Sequence, residues 1–258
     1  MKVIILSAGQ GRRLMPLTAN CPKCALPVAG RPILAWQLSA INRCSNISEV
    51  VVVTGFAADK IEAVIAENNS GHLAVRALYN PFFANSDNLA TCWVARHEMQ
   101  EPFVLINGDT LFEPAVIQRL AQGPAKASIT LTVDKKADYD DDDMKVILDQ
   151  GRLCHVGKKL NKSRVNGESI GMTRFDHLGA ELFCAELERS MRLGEGVNRW
   201  YLAAIDAIAQ KQSLGACLIE GLNWCEIDTR EDLNYADQAL LDWANWDDDQ
   251  THVLAKGG

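Results

Sequence analysis

The first 48 residues contain no aspartate and no glutamate. They do contain Lys2, Arg12, Arg13, Lys23, Arg31 and Arg43, a charge of +6. The 258-residue chain has a net charge of −7 overall, so residues 49–258 carry −13. A sequence pI of about 5.3 argues against nucleic acid as a partner. The segregated positive charge calls instead for a local anion, and phosphate is the natural candidate. Long apolar runs are missing too. The longest near the start is Val3 to Leu6, too short for a secretion signal or a membrane span. A cytoplasmic chain with no membrane partner is therefore expected. Cys21 and Cys24 form a C-x-x-C, but no second pair and no histidine at ligand spacing accompanies them, which removes the usual zinc frameworks. The eight cysteines are scattered and read as reduced thiols, mostly small core residues. No internal repeat or low-complexity linker appears. A hydrophobic fraction of 48% and a charged fraction of 23% describe an ordinary globular chain with a full core.

What is present is a rhythm. Lys2–Leu6, Glu49–Thr54 and Phe103–Ile106 are apolar, β-branched runs that read as buried strands, and Leu73–Tyr79 alternates like a strand. Between them, Pro32–Ile41, Ala58–Glu67 and Leu89–Met99 have helical spacing. Buried strands alternating with helices predict a parallel sheet covered on both faces. From Ala127 the pattern changes to four strand-like segments without helices between them: Ser128–Val133, Met144–Leu148, Arg152–Val156 and Ser169–Arg174. Helical patterns over Ala180–Leu193 and Arg199–Lys211 follow, then strands over Leu214–Ile219 and Asn223–Ile227. Thr229 and Asp232 fit a capping box opening a last helix to about Trp246. The expected fold is α/β: a doubly wound, mostly parallel sheet in three layers, with a small mixed β extension. We expect one domain over 1–258, with a nucleotide-binding half at about 1–125, a second half at about 126–246, and a polar tail at 247–258.

The loop leaving the first strand reads Leu6-Ser-Ala-Gly-Gln-Gly-Arg-Arg-Leu14. Gly9 and Gly11 permit tight turns and close backbone approach to a ligand, and exposed N–H groups there cradle phosphate oxygens. It lacks the third glycine of a dinucleotide fingerprint and the G-K-[ST] of a Walker loop. Arg12, Arg13 and, after Pro22, Lys23 supply positive charge with no carboxylate nearby in the sequence.

This loop, with Pro22-Lys23 and Leu26-Pro27-Val28, resembles the signature of sugar-phosphate nucleotidyltransferases. Gly30-Arg31-Pro32-Ile33-Leu34, Asn107-Gly108-Asp109 and Trp224-Cys-Glu-Ile-Asp-Thr-Arg-Glu-Asp-Leu233 match further motifs of that family in order. Ser7 is a mild departure from its usual small residue. The resemblance implies an enzyme in which a phosphate monoester attacks the α-phosphorus of a nucleoside triphosphate and pyrophosphate leaves. It implies Arg13 and Lys23 as catalytic residues, Arg13 on the β- and γ-phosphates and Lys23 on the α-phosphate. Leu6, Ala8, Gly9, Gly11 and Arg12 would join them around the nucleotide. Asp109 and Asp228 would share Mg²⁺, a hard cation satisfied by a few carboxylates plus phosphate oxygens. Joining two polyanions needs positioning and charge neutralisation more than a base.

The second half resembles the cytidylyltransferase branch, whose members activate phosphocholine or inositol 1-phosphate, through Met144–Arg152, Val156-Gly-Lys158, Gly167–Gly171 and Trp200-Tyr201. The implied partners are CTP and a small phosphorylated substrate, for cell-surface glycan or lipid synthesis. Lys145 or Lys158 would hold the acceptor phosphate, with Lys158 preferred. Glu168 would accept from a hydroxyl or pair with an ammonium. Trp200, Tyr201 and Trp224 would form an aromatic wall suited to a cation, unless two of them are core residues. Asn85, Ser86 and Asn88 sit where the family reads its base, Asn88 alternatively serving as a helix cap. Asp140–Asp143 reads as a solvated acidic loop. Trp243 and Trp246 pack on the core or on a second copy, which leaves a homodimer among the candidate partners. The alternative within the class is a hexose-1-phosphate nucleotidyltransferase using UTP, dTTP or GTP. A non-catalytic nucleotide sensor would be marked by loss of Lys23, Asp109 or Asp228, and all three are present.

Overall fold

The computed structural model describes residues 1–68, 71–123 and 127–243. Its strands in chain order are β1 (Lys2–Ser7), β2 (Pro27–Val28), β3 (Arg31–Pro32), β4 (Glu49–Thr54), β5 (Ala74–Tyr79), β6 (Phe103–Asn107), β7 (Thr110–Phe112), β8 (Ile129–Asp134), β9 (Lys145–Asp149), β10 (Arg152–Val156), β11 (Gly167–Phe175), β12 (Leu214–Leu218) and β13 (Trp224–Glu226). Its helices are α1 (Ile33–Asn42), α2 (Ala58–Asn68), α3 (Asn88–Val94), α4 (Pro114–Gln122), α5 (His177–Arg192), α6 (Leu202–Ala209) and α7 (Arg230–Asp242).

Nine strands form one sheet in the order β5-β4-β1-β6-β11-β8-β12-β10-β9. β5, β4, β1 and β6 are parallel, as their continuous apolar runs require. Val50 to Val53 are all fully buried because helices cover both faces. α1, α2 and α4 bury one face, while α3, α5 and α6 bury the other. The mixed extension begins at β11, which runs antiparallel to both β6 and β8. The far edge returns on itself, since β9 pairs with the start of β11 as well as with β10. The expected three-layer fold and mixed extension are therefore what the chain builds.

The chain winds from β1 outward to β4 and β5, then returns across β1 to β6. That reversal opens a crevice beyond the carboxyl ends of the parallel strands, where such folds bind ligands. A third apolar cluster beneath the crevice joins Leu14 of the glycine loop to Leu26, Ile33, Trp36, Leu111, Ile227 and helix α7. Trp243 packs there, on the core; Trp246 and 247–258 lie outside the described residues.

Two helices differ from the periodic reading, and a third, α4, has no counterpart in it. The segment predicted over Leu89–Met99 is α-helical only to Val94 and then tightens into a 3₁₀ turn over Ala95–Glu98. Thr91, Trp93 and Val94 are weak helix formers in so short an element. The helix predicted from Arg199 starts at Leu202. Carbonyls of Val197 and Arg199 instead accept from Asp87 and Leu89 at the start of α3, at 2.7 and 3.1 Å, satisfying N-terminal donors that a helix leaves open. At α5, Asp176 serves as N-cap, accepting from the Gly179 N–H at 2.8 Å.

Candidate active site

The glycine loop turns directly out of β1. Gly11 has φ +75°, a left-handed conformation costly for other residues. A Cβ there would also meet the Lys23 Cβ at 2.8 Å. Glycine is thus required twice over: once for the turn, once to let the Lys23 stem lie against the loop. Thr18 Oγ1 donates to the Gly11 carbonyl at 2.8 Å and fixes the turn. At the end of β6, Gly108 has the same necessity, because a Cβ would meet Ser7 Oγ at 2.4 Å and the Leu6 carbonyl at 2.6 Å. β1 and β6 therefore end almost in contact, with Asp109 beside the glycine loop.

Asp228, 119 positions further along the sequence, reaches the same place through a short ribbon. β13 pairs antiparallel with β7, with Glu226 opposite Thr110, and the Ile227 N–H donates to the Asp109 carbonyl at 3.1 Å. A full capping box then locks the chain after it. The Asp232 carboxylate accepts from the N–H groups of Asp228 and Thr229 at 3.0 and 2.8 Å, and Thr229 Oγ1 accepts from Asp232. The box expected from sequence thus has a second task, since it fixes the backbone of the site residue Asp228.

Lys23 Nζ donates to Asp109 Oδ2 at 2.7 Å and to Asp228 Oδ1 at 2.5 Å. Burial alone would lower its pKa, but the two aspartates raise it well above the ordinary value; the ammonium is permanently charged. Arg13 donates to Asp228 Oδ2 at 2.5 Å and to Asp142 Oδ2 at 2.8 Å. Glu226 completes a carboxylate trio with Asp109 and Asp228, ligand oxygens lying within 4.8 Å of one another. Desolvation on the cleft wall, then the charges of Asp109 and Asp228, push Glu226 up to about 8. Its side chain is solvent-accessible, so repulsion by the two aspartates is the cause we weigh most. Asp109 Oδ1 is buried without a hydrogen-bond partner. A hard-oxygen donor set with an unsatisfied buried oxygen fits a divalent cation such as Mg²⁺. Glu226 was missed as a site residue in sequence, although it lies inside the closing motif two positions before Asp228.

Two adjoining cavities meet at these residues. The larger, about 390 Å³, is lined by Leu6, Ala8, Gly9, Gly11, Arg12 and Arg13, then by Lys23, Ser86, Asn88 and Asp109. Of the residues expected around the nucleotide, only Asn85 lies outside the lining; it sits in a one-turn 3₁₀ segment whose neighbours Phe83 and Ser86 face the cleft instead. Asn88 is not the α3 cap, which is Asp87. Its Oδ1 accepts from the Tyr201 N–H at 2.7 Å, leaving the carboxamide nitrogen for the cleft.

The smaller cavity, about 170 Å³, includes Arg13, Asp142, Met144, Lys158, Ser169 and Trp200 in its wall. Three expectations for it need correction. Tyr201 touches the cavity but is fully buried, its ring edge-on to Phe183 at 6.4 Å in a stack that continues through Phe175 and Phe103; it is a core residue. Trp224 lies outside the cavity lining: its indole N–H donates to Asp134 at 2.8 Å and its ring packs on the core face covered by α1, α2 and α4. Trp200 does line the cavity, yet Lys158 Nζ already sits 4.7 Å over its ring. An aromatic cage is therefore absent among the described residues. Lys145 is buried, donating to the Lys158 carbonyl at 3.1 Å; its task is to shape the loop.

The acidic run is the largest departure from expectation. Only part of it is solvated. Asp143 is buried and pairs with Lys136 at 2.7 Å, and Lys136 also holds Glu168 at 2.9 Å. Asp142 bridges Arg13 and Lys158, each at 2.8 Å. Glu168 belongs to the buried cluster and lies outside the cavity lining. Burial pushes its carboxyl up to about 7, against the pull of Lys136. A raised carboxyl stabilises the fold below its unfolded value and loses that stability as pH rises through the folded one. We expect wild-type protein to lose stability relative to Glu168→Gln between pH 5 and 8, by at most about 3 kcal/mol. Guanidinium midpoints across that range check this; parallel pH profiles would refute it.

The sulfur chemistry is bland, as expected. All eight cysteines are free thiols, and burial pushes Cys24 up to about 12, so the C-x-x-C lacks an activated thiolate. Among the described residues no helix is long and apolar enough to cross a membrane.

Comparison with known proteins agrees with this geometry. The nucleotidyl transferase family model matches residues 2–143, and the chain belongs to that family. Over 255 residues it is 26% identical to the CTP:phosphoglutamine cytidylyltransferase of Campylobacter jejuni, covering 90% of this chain and 98% of that protein. Among solved structures, the inositol-1-phosphate CTP transferase from T. maritima superposes with a TM-score of 0.78 at 19% identity, over 93% of this chain and 94% of that one. The CTP:phosphocholine cytidylyltransferase from Streptococcus pneumoniae does so with 0.75 at 20% identity, over 93% and 98%. At such identities the structural likeness speaks for the fold alone.

Proposed function

We propose that this nucleotidyl transferase joins CTP to a small phosphomonoester, giving a CDP-linked product and pyrophosphate. The observation that carries the reading is Lys23, which lines the larger cavity clamped between Asp109 and Asp228, two aspartates that line both cavities. In it, the triphosphate lies along the glycine loop of residues 1–125, with Arg12 and Arg13 beside it. The acceptor lies in the smaller cavity, formed largely by the second half, with its phosphate on Lys158. An oxygen of that phosphate forms a bond to the α-phosphorus, the bond from the α-phosphorus to the bridging oxygen breaks, and pyrophosphate leaves with the electron pair. The nucleophile is already an anion near neutral pH, so no base is required. Lys23 neutralises charge on the α-phosphate, and Arg13 screens the two polyanions from each other. Asp109, Asp228 and Glu226 would hold Mg²⁺, which would supply positive charge to the phosphates. Asn88 offers a donor to the base. The preference for CTP rests on the cytidylyltransferases this chain resembles, and we place the product in cell-surface glycan or lipid synthesis.

The test is pyrophosphate release with Mg²⁺ and each of CTP, UTP, GTP and dTTP against phosphocholine, phosphoglutamine, inositol 1-phosphate, glycerol 3-phosphate and glucose 1-phosphate. We expect CTP to exceed the other nucleotides by about 100-fold in kcat/KM, as a hydrogen-bonded base site discriminates. Release with UTP and glucose 1-phosphate but not CTP would replace this reading with the hexose-1-phosphate one. Release with no pair would overturn both.

A further inference from the structure

The loop between β8 and β9 carries four consecutive aspartates, yet it holds one of them apart. Asp140 Oδ1 accepts from the N–H groups of Asp142 and Asp143 at 2.8 and 3.1 Å. Asp143 is buried on Lys136. The loop is thereby anchored on both sides of Asp142, whose side chain stays 70% exposed. One of its oxygens takes Arg13, from the glycine loop; the other takes Lys158, from the opposite half of the chain. A single carboxylate thus joins the two cations that a phosphate entering the smaller cavity would join.

These two are also the only cations lining that cavity among the described residues; the other charges there are Asp109, Asp142, Glu226 and Asp228. Exposed ion pairs are weak and readily exchanged, so a dianionic phosphate displaces Asp142 from both. Once it has done so, the anchored loop keeps the Asp142 carboxylate beside the acceptor with no cation of the protein left to balance it. Of the three other carboxylates, Asp109 and Asp228 pair with Lys23, and the trio with Glu226 would hold a divalent cation. The face of Trp200 offers a cation nothing, because Lys158 covers it.

We propose that Asp142 is a specificity-determining residue: it yields Arg13 and Lys158 to the acceptor's phosphate and then favours an acceptor whose organic part carries an ammonium group over one that carries a carboxylate. The inference rests on the reading above that the smaller cavity receives the acceptor.

The test uses three phosphates of matched size: phosphoethanolamine, ethyl phosphate and phosphoglycolate. Each is titrated calorimetrically into the full chain, wild type and Asp142→Asn, in low-salt buffer, and each is assayed for pyrophosphate release with Mg²⁺ and CTP. One unit charge a few ångström from an exposed carboxylate changes affinity about fivefold, and the two tails move in opposite directions. The wild type should therefore bind phosphoethanolamine about 25-fold more tightly than phosphoglycolate, with ethyl phosphate between. Asp142→Asn should compress that ratio to about twofold, and added salt should shrink it in the wild type. An unchanged ratio in the variant, a wild-type preference for phosphoglycolate, or no measurable binding of any of the three overturns the inference. A ratio that collapses in Asp142→Asn while no acceptor gives pyrophosphate would sink the proposed reaction and leave this inference standing.

Discussion

Replacing Lys23 with alanine lowers kcat for pyrophosphate release by about three orders of magnitude, in line with the loss of a preorganised electrostatic group at a developing charge. KM for CTP is expected to rise far less, because on the proposed reading Arg12, Arg13 and the glycine-loop amides would still bind the triphosphate in the ground state. The same substitution has a second, separable consequence. Lys23 is the common partner of Asp109 and Asp228; without it, three carboxylates within 4.8 Å retain only Arg13. Removing one partner of a mostly buried ion pair is costly. These side chains are 14–22% exposed, so we place the cost at about 2 kcal/mol, below the range for a fully buried pair. Magnesium should restore much of it, since a cation that binds only the folded state stabilises by mass action. Thermal melts in EDTA and in Mg²⁺ therefore show a larger magnesium-induced rise for Lys23→Ala than for wild type. Turnover within tenfold of wild type, or a variant that is unfolded even with Mg²⁺, would remove Lys23 from the role given to it.

The parallel half of the fold was legible because burial on both faces leaves a plain trace. Val50 to Val53 have no polar neighbour to alternate with, and only a sheet covered twice accommodates them. The mixed half was legible as strands but not as pairings. Nothing in Gly167–Phe175 announces that it touches β6, β8 and β9, because those contacts join residues far apart in sequence. The start of α6 was misjudged for a similar reason. The helical pattern continues back to Arg199, but the open donors at the head of α3 take the carbonyls of Val197 and Arg199 first.

At the site, residues in contiguous motifs were found and residues defined by a fold-back were not. The glycine loop, Lys23, Asp109 and Asp228 each stand in a short run with its own physical logic. Asp142 stands in a run whose commonest fate is solvation, and its partners Arg13 and Lys158 lie 129 and 16 positions away. Trp224 illustrates the converse error. Its motif is adjacent to Asp228, and alternation along an extended strand puts residues 224, 226 and 228 on one side, yet the indole turns to donate to Asp134 and stays out of the cavity lining. Glu226 was visible by that same alternation, two positions before a predicted metal ligand.

Asp109→Asn is the mirror image of Lys23→Ala, and its two effects have opposite signs. The substitution removes a ligand of the carboxylate trio and takes turnover down by about a thousandfold or more, comparable to losing a principal charge stabiliser. Stability in EDTA moves the other way. In the metal-free protein, ionisation of Glu226 at about pH 8 would set Asp109, Glu226 and Asp228 against Lys23 and Arg13 with an excess of one negative charge; below that pH the Glu226 proton cancels the excess. Desolvation, then the charges of Asp109 and Asp228, hold the Glu226 carboxyl up against that ionisation. An asparagine keeps the shape of the side chain, removes the excess, and leaves Lys23 paired with Asp228. Above about pH 8, where Glu226 ionises in the wild type, the variant should therefore melt at or above the wild-type temperature in EDTA and gain little when Mg²⁺ is added, whereas the wild type gains clearly. Glu226 should titrate lower in the variant, because one of the two charges opposing its ionisation is gone. A variant that melts well below wild type in EDTA would show Asp109 to be a structural partner of Lys23 first. One that still gains from Mg²⁺ as the wild type does would place the cation elsewhere. The expected outcome, a more stable and inactive protein, would mark a cluster whose repulsion is retained for the cation and the two phosphates that the proposed reaction brings there.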